Sequence, residues 1–398
     1  MTKQGSKVKN LQFLRRNNRA SVIKQLVLGN ANSRIELSNQ LGLSKMAISE
    51  IVNGLIEKGF VEESTNLADD CGQKKTGRNP VLLKIRDKSI NAIGVYIIRY
   101  ELHCVISDIC GNIFYHDFQK LPENADNKDF HKILHLLIEK SIEESKGMYV
   151  AGIGIATIGP VDIYHRRLLN PPAFYHINNI NFEHELQQYT DLPVVVDNDM
   201  NASALAEYYY DPEHKGKPLV YVGLSSGVGA GVIYKGTIYH GGAGFAGEAG
   251  HISINPRGDK CCCGQRGCIE LYTSVLNLLK NTGTRSVEEL TELMNREVVP
   301  RYVSAGIDDC RTAIQALLVA LANMYDPEVI ILGEIPDELK PVYLDGMEEY
   351  TNKHMLQHGY RKVKVESSTM GKRTSYLGGP SLVFKQIFNG EIELPSGI

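Results

Sequence analysis

The segment 247–270 constrains this 398-residue chain more than any other, because its cysteines are spaced for a metal ion. Cys261, Cys263 and Cys268 stand in the pattern C-x-C-G-x-x-G-C, and His251 lies ten residues before the first of them. Glycines between the cysteines let the backbone fold back, so three thiolates and one imidazole can meet in the tetrahedral geometry of a Cys₃His zinc site. We therefore predict one structural Zn²⁺ per chain.

Disulfides and free thiols are the alternatives for these cysteines. Adjacent residues such as Cys261 and Cys262 bridge poorly, because disulfide geometry is demanding. The N-terminal sequence MTKQGSKVKN has no apolar segment of the kind found in secretion signals, which favours a reducing cytoplasm. Alternation along an extended C-x-C predicts that Cys262 points away from the metal.

The charge distribution indicates a nucleic-acid-binding head on an acidic body. The net charge of the whole chain is −3, which by itself suggests no polyanionic partner. Residues 1–60, however, carry ten Lys and Arg side chains against three acidic ones. This asymmetry is typical of proteins that bind nucleic acid. No apolar run approaches the ~20 residues that cross a bilayer, so we expect no membrane insertion.

Three segments of the basic head follow the helix-turn-helix plan. Helices are predicted at 19–29 and 34–41, Gly42 makes the turn, and Ser44 caps a third helix whose apolar residues recur at i, i+3, i+4 and i+7. The start of such a third helix enters the major groove of DNA. The residues expected to contact DNA there are Ser44, Lys45, Met46 and Ser49. A small helical bundle with a solvated basic face is the alternative.

Residues 61–85 are predicted to form a wing, in which two short strands flank a polar tip. Lys74, Lys75 and Arg78 lie at this tip, where they can reach the backbone or the minor groove of DNA. A solvated basic loop is the alternative interpretation. The boundary of the head is expected near residue 86.

From about residue 90, the sequence pattern predicts the mixed strands and helices of an α/β fold. A buried strand at 193–196 delivers Asp197, Asn198 and Asp199 at its C-terminal end, where ligand sites of open α/β sheets cluster. Further along, the Gly-rich loop 225–231 has backbone amides that can cradle a phosphate. Many such loops are simply tight turns, so this loop alone is weak evidence.

With these features in place, the chain resembles the ROK family of repressors and sugar kinases. The signature G-H-x-x-I-x-x-x-G-x-x-C-x-C-G-x-x-G-C-x-E is matched at Gly250, His251, Ile254, Gly258, Cys261, Cys263, Gly264, Gly267, Cys268 and Glu270. The resemblance covers the chain essentially end to end. It implies an α/β fold: an N-terminal winged helix-turn-helix followed by a two-lobed actin/hexokinase-like (ribonuclease H-like) ROK domain, with the sugar in the cleft.

The resemblance also implies domain boundaries. The winged helix-turn-helix DNA-binding domain would cover 1–86 and the ROK sugar-binding domain 87–398. Within the latter, the smaller lobe would comprise 87–197 with the C-terminal helix 376–398, and the larger lobe with the zinc site would comprise 198–375.

The sugar-binding positions of the family carry over one by one. By this resemblance, the sugar-binding residues are Asn198, Asp199, Glu248, His251 and Glu270. Asp199 matches the general base of the kinases, and Met200 replaces the usual alanine beside it. His251 can place one ring nitrogen on zinc and the other towards a sugar hydroxyl.

The departures from the family pattern lie on the nucleotide side. Kinase members begin the domain with D-x-G-G-T, where small residues let the backbone approach ATP phosphates, whereas this chain has the bulky segment 96–100. The later L-G-G-G pattern has become Leu332-Gly333-Glu334-Ile335. Phosphoryl transfer depends on positioning and charge stabilisation, so we expect no enzyme activity and no catalytic residue.

These observations predict a transcriptional repressor of sugar uptake or catabolism genes, relieved by a sugar or sugar phosphate in the cleft. Its expected partners are double-stranded operator DNA, the effector, and one or three further copies of the chain in a homodimer or tetramer. The expected location is the cytoplasm of a bacterium, at the nucleoid. An ATP-dependent sugar kinase with a DNA-binding head is one alternative. A repressor controlled by a phosphotransferase-system protein is another.

Overall fold

The N-terminal part of the chain consists of three helices and an antiparallel strand pair. A computed structural model describes residues 3–64 and 81–395. The elements of this part are α1 (Lys3–Leu28), α2 (Arg34–Leu41), α3 (Lys45–Glu57), β1 (Val61–Ser64) and β2 (Leu82–Ile85). The strands pair antiparallel, with Val61 opposite Ile85. The helices and the wing strands thus follow the predicted winged helix-turn-helix order.

Local sequence explains where α2 and α3 begin. Ser33 and Ser44 adopt extended backbone conformations, and each side chain accepts a hydrogen bond from the amide three residues on. Both satisfy an amide that the first helical turn leaves unpaired. Gly42 closes α2 in the left-handed region at φ 65°. The prediction of α1 was wrong at its start, because the helix begins at Lys3 and not near residue 19.

The first large sheet has the strand order β10-β6-β3-β4-β5. Its strands are β3 (Asn91–Ile98), β4 (Glu101–Asp108), β5 (Ile113–Lys120), β6 (Val150–Thr157) and β10 (Val194–Asn198). Strands β3, β6 and β10 run parallel, and α4 (Asn127–Glu144) packs against β4 and β5. The short elements between β6 and β10 are β7 (Val161–Asp162), β8 (Arg167–Leu168), β9 (Ile180–Asn181) and α5 (Phe182–Leu186).

The second large sheet has the order β13-β12-β11-β14-β15. Its strands are β11 (Leu219–Gly223), β12 (Gly229–Tyr234), β13 (Thr237–Ile238), β14 (Val329–Gly333) and β15 (Lys364–Ser367). The helices of this lobe are α7 (Glu270–Thr273), α8 (Val275–Asn281), α9 (Val287–Met294), α10 (Arg301–Tyr325), α11 (Lys340–Leu344) and α12 (Met347–His354). Gly346, whose φ of 72° is left-handed, separates α11 from α12.

Two helices, α6 (Asp199–Tyr210) and α13 (Lys372–Phe388), pack against each other between the sheets. Helix α13 lies directly on β3 and β6: a Cβ on Gly94 would stand 2.1 Å from Pro380 Cδ, and one on Gly154 would stand 1.9 Å from the Gly379 carbonyl oxygen. Helix α6 packs on β11 and β12 of the other sheet. Because α1 contacts both α6 and α13, the head shares one hydrophobic core with the two lobes.

A buried polar cluster ties the end of α6 to the second sheet. The His214 ring lies 3.1 Å from Glu207 through Nδ1 and 2.7 Å from Glu366 through Nε2. Burial lowers the pKa of His214, but the hydrogen bonds to Glu207 and Glu366 outweigh it and raise the pKa overall. Buried charged groups are stable only when paired, so this cluster fixes α6 against β15.

Candidate functional site

The C-terminal end of β10 and the start of α6 form one wall of a cavity of about 450 Å³. The Asn198 side chain caps α6 by accepting a hydrogen bond from the Met200 amide at 2.9 Å. Asp199 stands in the first turn, where the positive end of the helix dipole favours an acidic residue. Burial, followed by the nearby charge of Glu334, holds the pKa of Asp199 well above its usual range.

The opposite wall comes from the segment 247–270. Glu248 precedes a short 3-10 helix, Ala249–His251, His251 is its last residue, and Glu270 opens α7. Glu270 Oε2 accepts a hydrogen bond from the Val228 amide at 3.0 Å, which holds the carboxylate at the Gly-rich loop. Burial raises the pKa of Glu248. The five side chains predicted to bind a sugar therefore line one cavity; their role remains a prediction.

The lining of this cavity also includes side chains that were not predicted to bind a sugar, among them Arg99, Met200, Cys262 and Glu334. Met200 packs over the glycines of β11 and β12, since a Cβ on Gly223 would stand 2.2 Å from its sulfur. Cys262 lies within 4.8 Å of ligand atoms of His251 and Glu270. The prediction that Cys262 points away from the metal assumed an extended C-x-C, but the segment is a turn and the Cys262 sulfur lies 3.9 Å from that of Cys261.

The predicted zinc ligands form a compact cluster beside the cavity. The ligand atoms of His251, Cys261, Cys263 and Cys268 all lie within 4.8 Å of one another. His251 Nδ1 is 3.5 Å from Cys261 Sγ, and the Cys263 and Cys268 sulfurs are 3.6 Å apart. Zinc–sulfur bonds of about 2.3 Å place tetrahedral sulfur ligands roughly 3.7 Å apart. The cluster can therefore hold a metal ion.

The same distances argue against disulfides. A disulfide requires a sulfur–sulfur separation of about 2.05 Å. The Cys261 and Cys262 sulfurs are 3.9 Å apart, and the Cys263–Cys268 separation is also too long for a covalent bond. These four cysteines are free thiols in the structure.

Glu334 stands between this cavity and a second one of about 990 Å³. Its Oε2 accepts a hydrogen bond from the Ser225 hydroxyl at 2.6 Å, and its Oε1 accepts one from the Tyr96 hydroxyl at 2.8 Å and one from the Ser375 hydroxyl at 3.3 Å. Tyr96 belongs to β3 and Ser375 to α13, whereas Ser225 follows β11. One carboxylate thus bridges the two lobes.

The residues predicted to contact DNA fall into two groups. Ser44, Lys45 and Met46 are exposed at the start of α3, and the Met46 side chain is 82% exposed. Ser49 is half-buried on the next turn. Lys74, Lys75 and Arg78 lie outside the described residues. Among the helices of residues 3–64 and 81–395, none combines the length and apolarity needed to cross a membrane.

Comparison with known proteins identifies the family of this chain. The profile described as ROK family matches residues 93–386. The xylose repressor of Caldicellulosiruptor bescii is 28% identical over 400 residues, covering 96% of this chain and 98% of the relative. A crystal structure of a ROK family transcriptional regulator, a homolog of the E. coli MLC protein, has a TM-score of 0.73 at 24% identity, covering 96% of this chain and 98% of the other.

A kinase structure matches the part of the chain that follows the head. A ROK family glucokinase from Streptomyces griseus, solved with glucose and AMPPNP, has a TM-score of 0.61 at 24% identity. It covers 73% of this chain and 98% of its own length. These structures confirm the predicted α/β fold with its two kinase-like lobes and N-terminal helical head.

Proposed function

Because this chain belongs to the ROK family, we propose that it is a DNA-binding transcriptional repressor that leaves its operator when a sugar occupies the smaller cavity. The meeting of Asn198, Asp199, Glu248, His251 and Glu270 at that cavity carries the proposal. Carboxylates accept hydrogen bonds from several hydroxyl groups at once, and an amide both donates and accepts them, as a sugar requires. The similarity to a protein named a xylose repressor supports the same function.

We assign a structural zinc ion to His251, Cys261, Cys263 and Cys268. When bound, the ion supplies four fixed bonds that hold the loop in one conformation. His251 Nδ1 faces Cys261, which leaves Nε2 as the nitrogen available to a ligand. The ring can then serve metal and sugar together, so the metal would stabilise one wall of the cavity.

The head would bind DNA through the start of α3 and respond to the sugar through α1. Lys45 and Met46 are exposed there, and a homodimer would present two such helices to two half-sites. Helix α1 packs against α6 and α13, and α6 begins at Asp199 in the cavity wall. A sugar that binds one arrangement of the lobes more tightly shifts the population of head positions.

We propose further that the chain does not phosphorylate its sugar, although the family includes kinases. Glu334 and Tyr96 place a carboxylate and a bulky ring in the wall of the cavity on the nucleotide side of the cleft. A carboxylate there repels the phosphates that a kinase must hold.

Fluorescence anisotropy with a labelled duplex from the region upstream of the gene tests the proposal, at a fixed salt concentration. We expect one sugar of a panel to raise the dissociation constant for DNA about tenfold or more. Lys45→Ala should weaken binding without sugar and reduce the salt slope by about one. Lys58→Ala, at the other end of α3, is the matched control.

An unchanged DNA affinity across the whole panel would contradict the sugar-effector role and favour a protein partner. Sugar-dependent ATP turnover, measured on the same zinc-loaded preparation, would contradict the assignment as a non-enzyme.

A further inference from the structure

Two of the donors that could hold a phosphate at the Gly-rich loop, the Ser225 hydroxyl and the Val228 amide, are already paired with carboxylates of this chain. The Ser225 hydroxyl donates to Glu334 at 2.6 Å, and the Val228 amide donates to Glu270 at 3.0 Å. A Cβ on Gly227 would stand 3.1 Å from the same Glu270 oxygen, so the loop and the carboxylate are closely packed. An entering phosphate would therefore have to displace both carboxylates.

Glu334 is held in place by more than this loop. Tyr96 and Ser375 donate to its other oxygen from the first lobe, at 2.8 and 3.3 Å. Its backbone lies in the left-handed region at φ 60°, which favours glycine. Three hydroxyl groups from the two lobes donate to this side chain, although its backbone conformation is unfavourable for a residue other than glycine. Glu334 is therefore a fixed part of the cavity wall.

The charges around the smaller cavity disfavour an anion. Four carboxylates line it, namely Asp199, Glu248, Glu270 and Glu334. Arg99 contributes a guanidinium to the lining, and among the described residues no other Lys or Arg side chain does so. A phosphate dianion would be repelled by the excess of acidic groups, whereas neutral hydroxyls can donate a hydrogen bond to each of them.

We propose that the effector is an uncharged sugar, and that Glu334 is the residue that rejects its phosphorylated form. This inference rests on the proposed function, because it concerns the ligand of the same cavity. The Glu334 carboxylate occupies the Ser225 hydroxyl of the Gly-rich loop, so an anion of the chain itself stands beside the groups that a sugar phosphate would need.

Isothermal titration of the zinc-loaded full-length protein with matched pairs of ligands tests the proposal. The pairs are glucose with glucose 6-phosphate, N-acetylglucosamine with its 6-phosphate, and xylose with xylose 1-phosphate. We expect the neutral member of one pair to bind at least about tenfold more tightly than its phosphate and to release DNA. Glu334→Gln keeps a side chain of the same shape without the charge, and should reduce this preference by roughly tenfold.

Glu328→Gln is the control, because it changes the net charge equally at an exposed position outside the cavity lining. It should leave the preference unchanged. A phosphorylated sugar that binds wild-type protein as tightly as its neutral partner, and releases DNA, would overturn the inference while the proposed function stands. If no member of any pair binds, the proposed function fails and the inference fails with it. If Glu334→Gln folds poorly, the affinities of wild-type protein for the neutral and phosphorylated sugars still test the inference.

Discussion

Two neighbouring cavities share Asp199 and Glu334 in their linings but are otherwise lined by different kinds of side chain. The smaller has carboxylates, an amide and the Cys/His cluster in its walls, which suit a hydroxylated ligand. The larger is lined by aromatic rings, among them Tyr100, His116 and Tyr376. The strands that support both cavities match a family glucokinase in fold. The side chains that line the two halves of such a cleft can therefore differ widely while the backbone fold is kept.

The largest effect is expected from disrupting the proposed zinc site in the wall of the smaller cavity. Cys263→Ser should lose about one zinc per chain and lower the free energy of unfolding by roughly 3–5 kcal/mol, because the binding energy of a structural metal is also folding energy. Elemental analysis and chemical denaturation measure the two effects. Cys262→Ser, one residue away and outside the four-ligand cluster, should retain the metal. Equal zinc contents in the two variants would disprove the assigned ligand set.

A second change tests whether the smaller cavity depends on Asp199. Asp199→Asn should weaken sugar binding by about tenfold to a hundredfold, because one carboxyl oxygen that can accept a hydrogen bond from a sugar hydroxyl becomes an amide NH₂ group that only donates. Titration calorimetry measures this loss. Asn201→Asp is unsuitable as a control, because the buried Asn201 side chain donates a hydrogen bond to Asp197. Glu348→Gln, remote from the cavity, serves instead. Sugar affinity equal to that of wild type would remove Asp199 from the binding site.

The pH dependence of stability gives an independent test of the same residue. Burial and Glu334 raise the pKa of Asp199 above its unfolded value, so the folded state binds more protons between the two pKa values. Stability contributed by this group is then present at low pH and is lost as pH rises through that window. Denaturation of wild type and Asp199→Asn across pH 4–8 should show a steeper decline for wild type. Parallel curves would contradict the raised pKa.

The smallest expected effect concerns the larger cavity. Tyr96→Phe removes one hydroxyl donor from Glu334 and leaves a buried carboxylate oxygen with fewer partners. We expect a loss of about 1–3 kcal/mol in the free energy of unfolding, measured by chemical denaturation. Tyr164→Phe is the control, since that side chain is 64% exposed. If both variants are equally stable, the Tyr96–Glu334 contact does not hold the lobes together.

Much of the local structure could be predicted from the sequence. Ser44 capping α3, the hairpin of the wing and the strand ending at Asn198 follow from residue types with strong local preferences. The start of α1 could not be predicted, because residues 3–18 are mostly polar and their few apolar residues are too sparse to mark a helix. Helix α6 begins directly after β10, because the Asn198 side chain caps its first turn.

The sequence by itself determined which residues are chemically able to form the metal cluster and the sugar-binding wall. Cys261, Cys263 and Cys268 are close in the chain, so their spacing restricts the geometry that they can adopt. Tertiary structure alone decided which groups donate hydrogen bonds to Glu334. Its donors Tyr96, Ser225 and Ser375 are 238, 109 and 41 residues away in sequence, and no local preference relates them. Only the packing of the lobes brings these groups together, because a buried carboxylate is stable where several donors converge on it.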